Sequence, residues 1–148
     1  MADKKITALT DLGSAIASED LLHVIDDPSG NPINKRVSVA NVFNNIPTYV
    51  ALDGTAQVIT NTTDAVNVST SITHLNTTGG AHAGGLADGT NGQIKIITMI
   101  ADGGDSVITP TNLANGSIIT FNDVGDTAML IFTNTNWVVV SNNGCSIA

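Results

Sequence analysis

Few side chains in this sequence have the types and spacing that chemistry requires. The three histidines are His23, His74 and His82, and no two of them have the close spacing of a helical or finger-type zinc site. His23 lies inside an apolar run, which predicts a structural histidine. His82 lies among glycines and is freer to act, and in a symmetric trimer three copies near the axis could hold an ion. We nevertheless expect no metal site.

Two short acidic turns also contain potential ligands. They are formed by Asp102 with Asp105 and by Asp123 with Asp126. The calcium-binding loop of alternating oxygen ligands that ends in a bidentate glutamate is absent from both. Aspartate and glycine are the residues that tight β-turns favour, so these segments are interpreted as turns.

The sequence contains no recognisable nucleophile or phosphate loop. There is no G-x-S-x-G elbow, and Cys145 has no histidine near it in the sequence. The pairs Gly79-Gly80 and Gly84-Gly85 are not followed by Lys and Ser or Thr, as a phosphate-binding loop would require. We therefore predict a protein that is not an enzyme and that uses no cofactor.

Composition narrows the function classes further. The 148 residues include five Lys or Arg and thirteen Asp or Glu, for a formal net charge of −8. Neutralisation of phosphates drives nucleic-acid binding, so this charge argues against a nucleic-acid partner. No apolar stretch approaches the roughly 20 residues of a membrane-spanning helix. The single cysteine and the absence of a secretory leader indicate folding in a reducing cytoplasm.

The last third of the chain predicts the fold class. Short apolar runs rich in β-branched residues alternate there with turns of Gly, Asn and Asp, as all-β proteins do. We expect a mainly β protein, an antiparallel sandwich or barrel of jelly-roll type, with an extended N-terminal arm, a β-hairpin and one short helix. Three aromatic residues are candidate anchors of the core or of an oligomer interface: Phe121, Phe132 and Trp137. The low charged fraction of 12% points to oligomerisation.

Three segments follow from the pattern. Residues 1–18 are expected to form the arm, residues 19–47 an anchoring subdomain, and residues 48–148 the β domain. In the anchoring subdomain, strands at Leu21–Ile25 and Ile33–Val39 flank a turn, and Ser38 is a candidate N-cap.

The β domain is expected to begin with two strands, Tyr49–Leu52 and Gln57–Thr60, with a tight turn at Asp53-Gly54 between them. A long alternation from Val66 to Leu75 follows. The glycine-rich stretch Gly79–Gly92 is interpreted as a loop.

Two passages then form a recognisable pattern. The first combines an I-x-x-L-x-x-L arm with D-L-L-x-V-x-D and K-R-V-S-V strands, at Ile6–Leu12, Asp20–Asp26 and Lys35–Val39. It resembles the leader of many tailed-phage virion proteins, especially those of phages that infect marine cyanobacteria. The second runs from Gly92 to Gly144 and is similar to a β-module of capsid-decoration and fibre proteins in such phages.

This resemblance implies a virion structural protein. We expect a capsid-decoration, or cement, protein on the capsid exterior, assembled in the host cytoplasm, a homotrimer that binds the major capsid protein. The alternative is a short tail fibre or knob that recognises the host cell. The candidate capsid-contact residues are Lys4, Lys5, Ile6, Leu9, Leu12, Lys35 and Arg36.

Overall fold

The structure is a computed structural model that describes residues 16–44, 52 and 55–148. Among these residues, β-strands dominate and one short helix is present, which confirms the predicted mainly β class. The chain divides into two compact units, Met1–Ala51 and Leu52–Ala148. Three expected features lie outside the described residues: most of the arm, the turn at Asp53-Gly54, and the strand at Tyr49–Leu52 apart from its last residue.

The first unit contains the predicted hairpin and helix. Strand β1 (Leu21–Asp26) pairs antiparallel with β2 (Ile33–Ser38), and helix α1 (Val39–Asn44) follows directly. Among the described residues, no helix is long and apolar enough to cross a membrane.

The second unit consists of two sheets. The five-stranded sheet has the order β10-β9-β6-β4-β3, and the four-stranded sheet has the order β11-β8-β7-β5. The strands are β3 (Gln57–Ile59), β4 (Ile72–Asn76), β5 (His82–Leu86), β6 (Ile94–Ala101), β7 (Ser106–Pro110), β8 (Ile119–Phe121), β9 (Thr127–Thr133), β10 (Asn136–Asn143) and β11 (Ser146–Ile147).

One hydrophobic core lies between the two sheets. Leu75, Ile97 and Met99 enter it from the five-stranded sheet, and Ile108 and Phe121 enter it from the four-stranded sheet, each fully buried. Strands β4, β6 and β7 alternate between buried and more accessible side chains, as the two-residue period of a strand requires. The unit is therefore a two-layer, sandwich-like arrangement. Neither sheet closes into a barrel among the described strands.

The sandwich is not antiparallel throughout, as the expected jelly-roll-like topology implied. The pairs β3–β4, β4–β6 and β5–β7 are all parallel. From β3 to β7 the chain passes back and forth between the two sheets. Each strand therefore pairs with a strand that returns to the same sheet later in the chain: Thr73 pairs with Ile97 in one sheet, and His82 pairs with Ser106 in the other. Parallel strands need a crossover, and here the opposite sheet supplies it. The result is a short coil of the kind found in β-solenoids.

Two boundaries also differ from the prediction. The stretch Gly79–Gly92 is not wholly a loop, because it contains β5. Glycine has low β-propensity, and this strand is held by its parallel partner β7 and not by local sequence. The alternation from Val66 to Leu75 is not one strand: Val66 makes an isolated bridge to Leu86, and β4 begins only at Ile72.

Candidate interaction surface

The β1–β2 hairpin exposes large apolar side chains. Every residue of β1 is exposed, and so are the first four residues of β2. Leu21 and Ile25 retain more than half of their accessible surface. The exposed apolar residues of the hairpin are Leu21, Leu22, Val24, Ile25 and Ile33. An isolated two-stranded hairpin is marginally stable in water, and these side chains form an exposed apolar surface on it.

The strand register assigns these residues to two faces. His23 pairs with Arg36, and Leu21 and Ile25 share their face. Val24 pairs with Lys35 on the other face, together with Leu22. Each face therefore combines apolar side chains from β1 with a basic side chain from β2.

The two basic residues of β2 differ in their surroundings. The Nζ atom of Lys35 forms an exposed ion pair with Asp26, and the hydrogen bond from Lys35 is the main cause that lowers the pKa of the Asp26 carboxyl. Arg36 makes no ion pair with any other described residue. An exposed pair contributes little to stability, so both cations remain available to an acidic neighbour.

The turn between β1 and β2 is specified by two residues. Asp27 adopts a positive φ of 50°, and its Oδ2 atom accepts a hydrogen bond of 2.9 Å from the backbone N–H of Asn31. A Cβ atom on Gly30 would lie 2.3 Å from the same Oδ2 atom. This turn therefore depends on aspartate and glycine at these positions, since Asp tolerates positive φ and Gly lacks a Cβ.

The start of α1 is fastened to the segment that precedes the hairpin. The Oγ atom of Ser38 accepts a hydrogen bond from the N–H of Asn41, which confirms the predicted N-cap. The N–H of Val39 donates to the carbonyl of Asp20, and the N–H of Ala40 donates to that of Ser18. Residues 18–20 are thus held at the base of the hairpin.

The sequence-predicted contact residues divide into two groups. Lys35 and Arg36 lie together on the exposed hairpin. The remaining candidates lie outside the described residues: Lys4, Lys5, Ile6, Leu9 and Leu12.

The three aromatic candidates lie in the core of the second unit. Phe121 and Trp137 are fully buried, and Phe132 is 7% exposed. The rings of Phe132 and Trp137 meet edge to face with centroids 5.2 Å apart. The indole Nε1 of Trp137 donates a hydrogen bond of 2.9 Å to the carbonyl of Ala87, which fastens the segment after β5 to β10.

The interpretation of His82 as the freer histidine is wrong. His82 is buried, its Nδ1 lies 2.8 Å from Oγ of Ser106, and its Nε2 lies 2.8 Å from the carbonyl oxygen of Asp64. Because a carbonyl only accepts hydrogen bonds, Nε2 carries a proton, and in the neutral ring Nδ1 then accepts from the serine hydroxyl. Ser106 is fully buried, so this serine–histidine pair is closed to a substrate and both ring nitrogens are already used.

The other candidate chemical groups serve the fold. His23 is exposed and bonds Asn34 on the hairpin. Asp126 is buried, and its Oδ2 accepts hydrogen bonds from the N–H groups of Asn122 and Asp123 within the turn. In the other acidic turn, Oδ1 of Asp102 accepts from the N–H of Gly104. Within the described residues, no three His, Cys, Asp or Glu side chains lie close enough together to hold a metal ion.

Cys145 is buried in the core. Burial, together with the nearby charge of Asp126, raises the pKa of the Cys145 thiol to about 12. The thiol therefore stays protonated and unreactive at neutral pH.

Lys95 is the residue that the sequence analysis missed. It is fully buried in β6, and its Nζ donates to the carbonyl oxygen of Thr70 at 2.7 Å and lies 3.2 Å from Oγ1 of Thr70. Burial lowers the pKa of this amine to about 8. A signal was present, because the alternation of β6 places Lys95 on the same face as Ile97 and Met99.

Comparison of the chain with protein-family models and with curated proteins gives no match.

Proposed function

We propose that the protein is a non-enzymatic decoration protein of a tailed-phage capsid, a homotrimer that binds the outer surface of the major capsid protein lattice and stabilises the head. Three things support the proposal: the resemblance of the leader and the β-module to such virion proteins, the burial of His82, Ser106 and Cys145, and the exposed hairpin. The hairpin is the observation that carries it.

The hairpin has the properties of an anchor. Five large apolar side chains on two short strands have little core of their own, so their burial must come from a partner. Burial of each such side chain is worth about 1.5 to 3 kcal/mol. A few of them on one hairpin therefore supply enough apolar contact to hold a subunit on a surface.

Four of the five Lys and Arg residues lie in the segment that contains the hairpin. Lys35 and Arg36 lie beside the apolar residues of the hairpin, and Lys4 and Lys5 belong to the segment before it. Apart from the buried Lys95, the chain after Arg36 contains no Lys or Arg. The N-terminal segment, which contains these four cations and six Asp or Glu, would face the lattice, and the β body, with seven Asp and the buried Lys95, would face solvent.

Stabilisation of the shell would follow from linkage. A ligand that binds the assembled lattice and not its free subunits stabilises the lattice by mass action. A trimer engages several lattice subunits at once, so modest contacts of each arm and hairpin combine through avidity.

The test is co-sedimentation of the purified full-length protein with empty capsid shells. Wild type is expected to saturate the shells, and the variant Leu22→Asp/Ile25→Asp is expected to lose at least tenfold in affinity. Val124→Asp is the matched control, because Val124 is a similarly exposed apolar residue in the second unit. Equal binding by the hairpin variant, or no binding by wild type, would contradict the proposal.

Deletion of residues 1–18 tests the arm separately. The truncated protein is expected to remain a folded trimer and to lose shell binding. A truncated protein that still saturates the shells would remove the arm from the mechanism.

The alternative, a short tail fibre or knob, relied on an exposed loop at Gly79–Gly92. That stretch contains β5 with the buried His82, and it has no aromatic side chain for ligand contact. The alternative therefore retains less support than the decoration protein.

A further inference from the structure

The outer face of the five-stranded sheet has an apolar centre, which Thr, Asn and His side chains border. Its strands alternate between residues in the core and residues on the opposite face, as in β6, where Lys95, Ile97 and Met99 point inward and Ile94 and Ile96 point outward. A sheet with one solvated face normally has polar residues on that face, whereas near-continuous apolar strands are typical of sheets that are covered on both faces.

The register joins these outward residues into two rows. Ile72 pairs with Ile96, which pairs with Met129. The next row consists of Ile94, Ile131 and Val138. All six side chains keep part of their surface accessible. A third row, of Val58, His74, Thr98 and Thr127, borders the first.

The other sheet provides an internal comparison. Its outward residues include Ala83, Gly85, Thr109 and Thr120, which are small or polar, and a single larger apolar residue, Val107. This is the composition of a face that contacts water. The apolar character of the outer face is therefore a property of the five-stranded sheet and not of the protein as a whole.

Charge distribution selects the partner. The five strands contain one charged residue, Lys95, and it faces the core. The chain has a net charge of −8, so two copies would repel each other through most other surfaces. Two copies that meet through this face bring no like charges together. The face also has no charge that would favour a charged partner of another kind.

The dimensions also fit self-association. Five strands at about 4.8 Å and a length of about 20 Å give a face of roughly 500 Å². Three such faces bring together about 1,500 Å² in total, about 500 Å² from each copy, against about 800 Å² per partner in an interface of standard size. Three walls about 24 Å wide enclose a prism with its axis about 7 Å from each wall, a gap that Ile and Met side chains can fill.

We infer that the outer face of the five-stranded sheet is the surface through which copies of this chain associate, three around an axis. The inference deepens the homotrimer part of the proposed function and rests on it only for the number of copies. It does not depend on capsid binding, which is measured in a separate assay.

The test measures the solution mass of the full-length protein by light scattering after size exclusion. Wild type is expected at three times the 15.1 kDa chain mass. Ile96→Asp places one carboxylate per copy on the shared face and is expected to give a folded monomer. Val107→Asp is the matched control, a half-exposed β-branched residue on the other sheet, and is expected to remain trimeric.

A second variant guards against misfolding of the first. His74→Glu exchanges a half-exposed polar side chain of the same face for a carboxylate, and it is expected to weaken association at least tenfold with an unchanged circular dichroism spectrum. A monomeric wild type, or a folded His74→Glu variant that associates as tightly as wild type, would overturn the inference. A trimer that fails to bind shells would overturn the proposed function alone.

Discussion

The Nζ atom of Lys95 in β6 lies 2.7 Å from the carbonyl oxygen of Thr70, 25 residues earlier in the chain. The hydroxyl of Thr70 lies 3.0 Å from Oδ1 of Asn67, whose oxygen also accepts a hydrogen bond from the N–H of Thr70. The buried amine thus fastens the segment before β4 to the five-stranded sheet. It does so without a carboxylate partner among the described residues.

The first prediction concerns pH. Burial lowers the pKa of Lys95 to about 8 from its ordinary 10.5, so between these values the unfolded chain holds a proton that the folded chain has lost. The free energy of unfolding therefore rises with pH through this window, by about 1 kcal/mol between pH 7 and 9. Cys145 acts in the opposite direction above its ordinary pKa of 9.0, because its folded pKa is raised to about 12.

Urea unfolding at a series of pH values measures this effect. The experiment compares two proteins that both carry Cys145→Ala. One keeps Lys95, and the other also carries Lys95→Met. The background protein is expected to become more stable as the pH rises, and the Met variant is expected to show a flatter profile. Parallel profiles would show that Lys95 is not the titrating group.

The second prediction concerns His82. Replacement by Ala leaves Oγ of Ser106 and the carbonyl of Asp64 without their partner, so His82→Ala should lose about 2 to 3 kcal/mol of stability. Fluorescence of Trp137, the single tryptophan, reports the unfolding. His23→Ala, on the exposed hairpin, is the control and should leave this transition unchanged.

The same histidine gives a metal prediction. Because both ring nitrogens are engaged within the fold, neither zinc nor a chelator should shift the thermal midpoint of wild type. A zinc-dependent rise in the midpoint that disappears in His82→Ala would show that the ring is available as a ligand after all.

The fourth prediction compares two glycines with positive φ. Gly144 has φ +80°, and a Cβ atom there would lie 1.7 Å from Oδ1 of the buried Asp126. Gly125 has φ +97° and no atom within 4 Å of such a Cβ. Gly144→Ala should therefore cost about 3 kcal/mol or more, and Gly125→Ala only the backbone strain of about 1 kcal/mol. Equal losses in chemical denaturation would contradict this difference.

The sequence predicted those elements whose signals are local. β6, β7 and β9 coincide with β-branched runs, and the hairpin coincides with a turn that contains Asp27 and Gly30. It did not predict β5, because a strand that contains Gly84 and Gly85 depends on pairing with residues 24 positions later in the chain. Parallel pairing was missed for the same reason, since hairpin logic considers only sequence neighbours.

The positions of the buried polar residues were harder still to predict from the sequence. His82 looked free because it lies in a glycine-rich stretch, yet a Cβ atom on Gly84 would lie 2.3 Å from the carbonyl of Asp64, so that glycine permits the burial of the ring. The outward apolar rows could not be recognised before the register was known. Ile72, Ile96 and Met129 are separated in sequence and meet only through β4, β6 and β9.

The central claim is that the protein acts by adhesion on a phage head, and the copy number of the chain in purified particles tests it most directly. Quantitative mass spectrometry of the virion, calibrated against the major capsid protein, provides that number. The account predicts hundreds of copies per particle, as a decorated lattice requires. A handful of copies would indicate a component of the tail and not of the capsid lattice. Absence of the protein from particles would contradict the account.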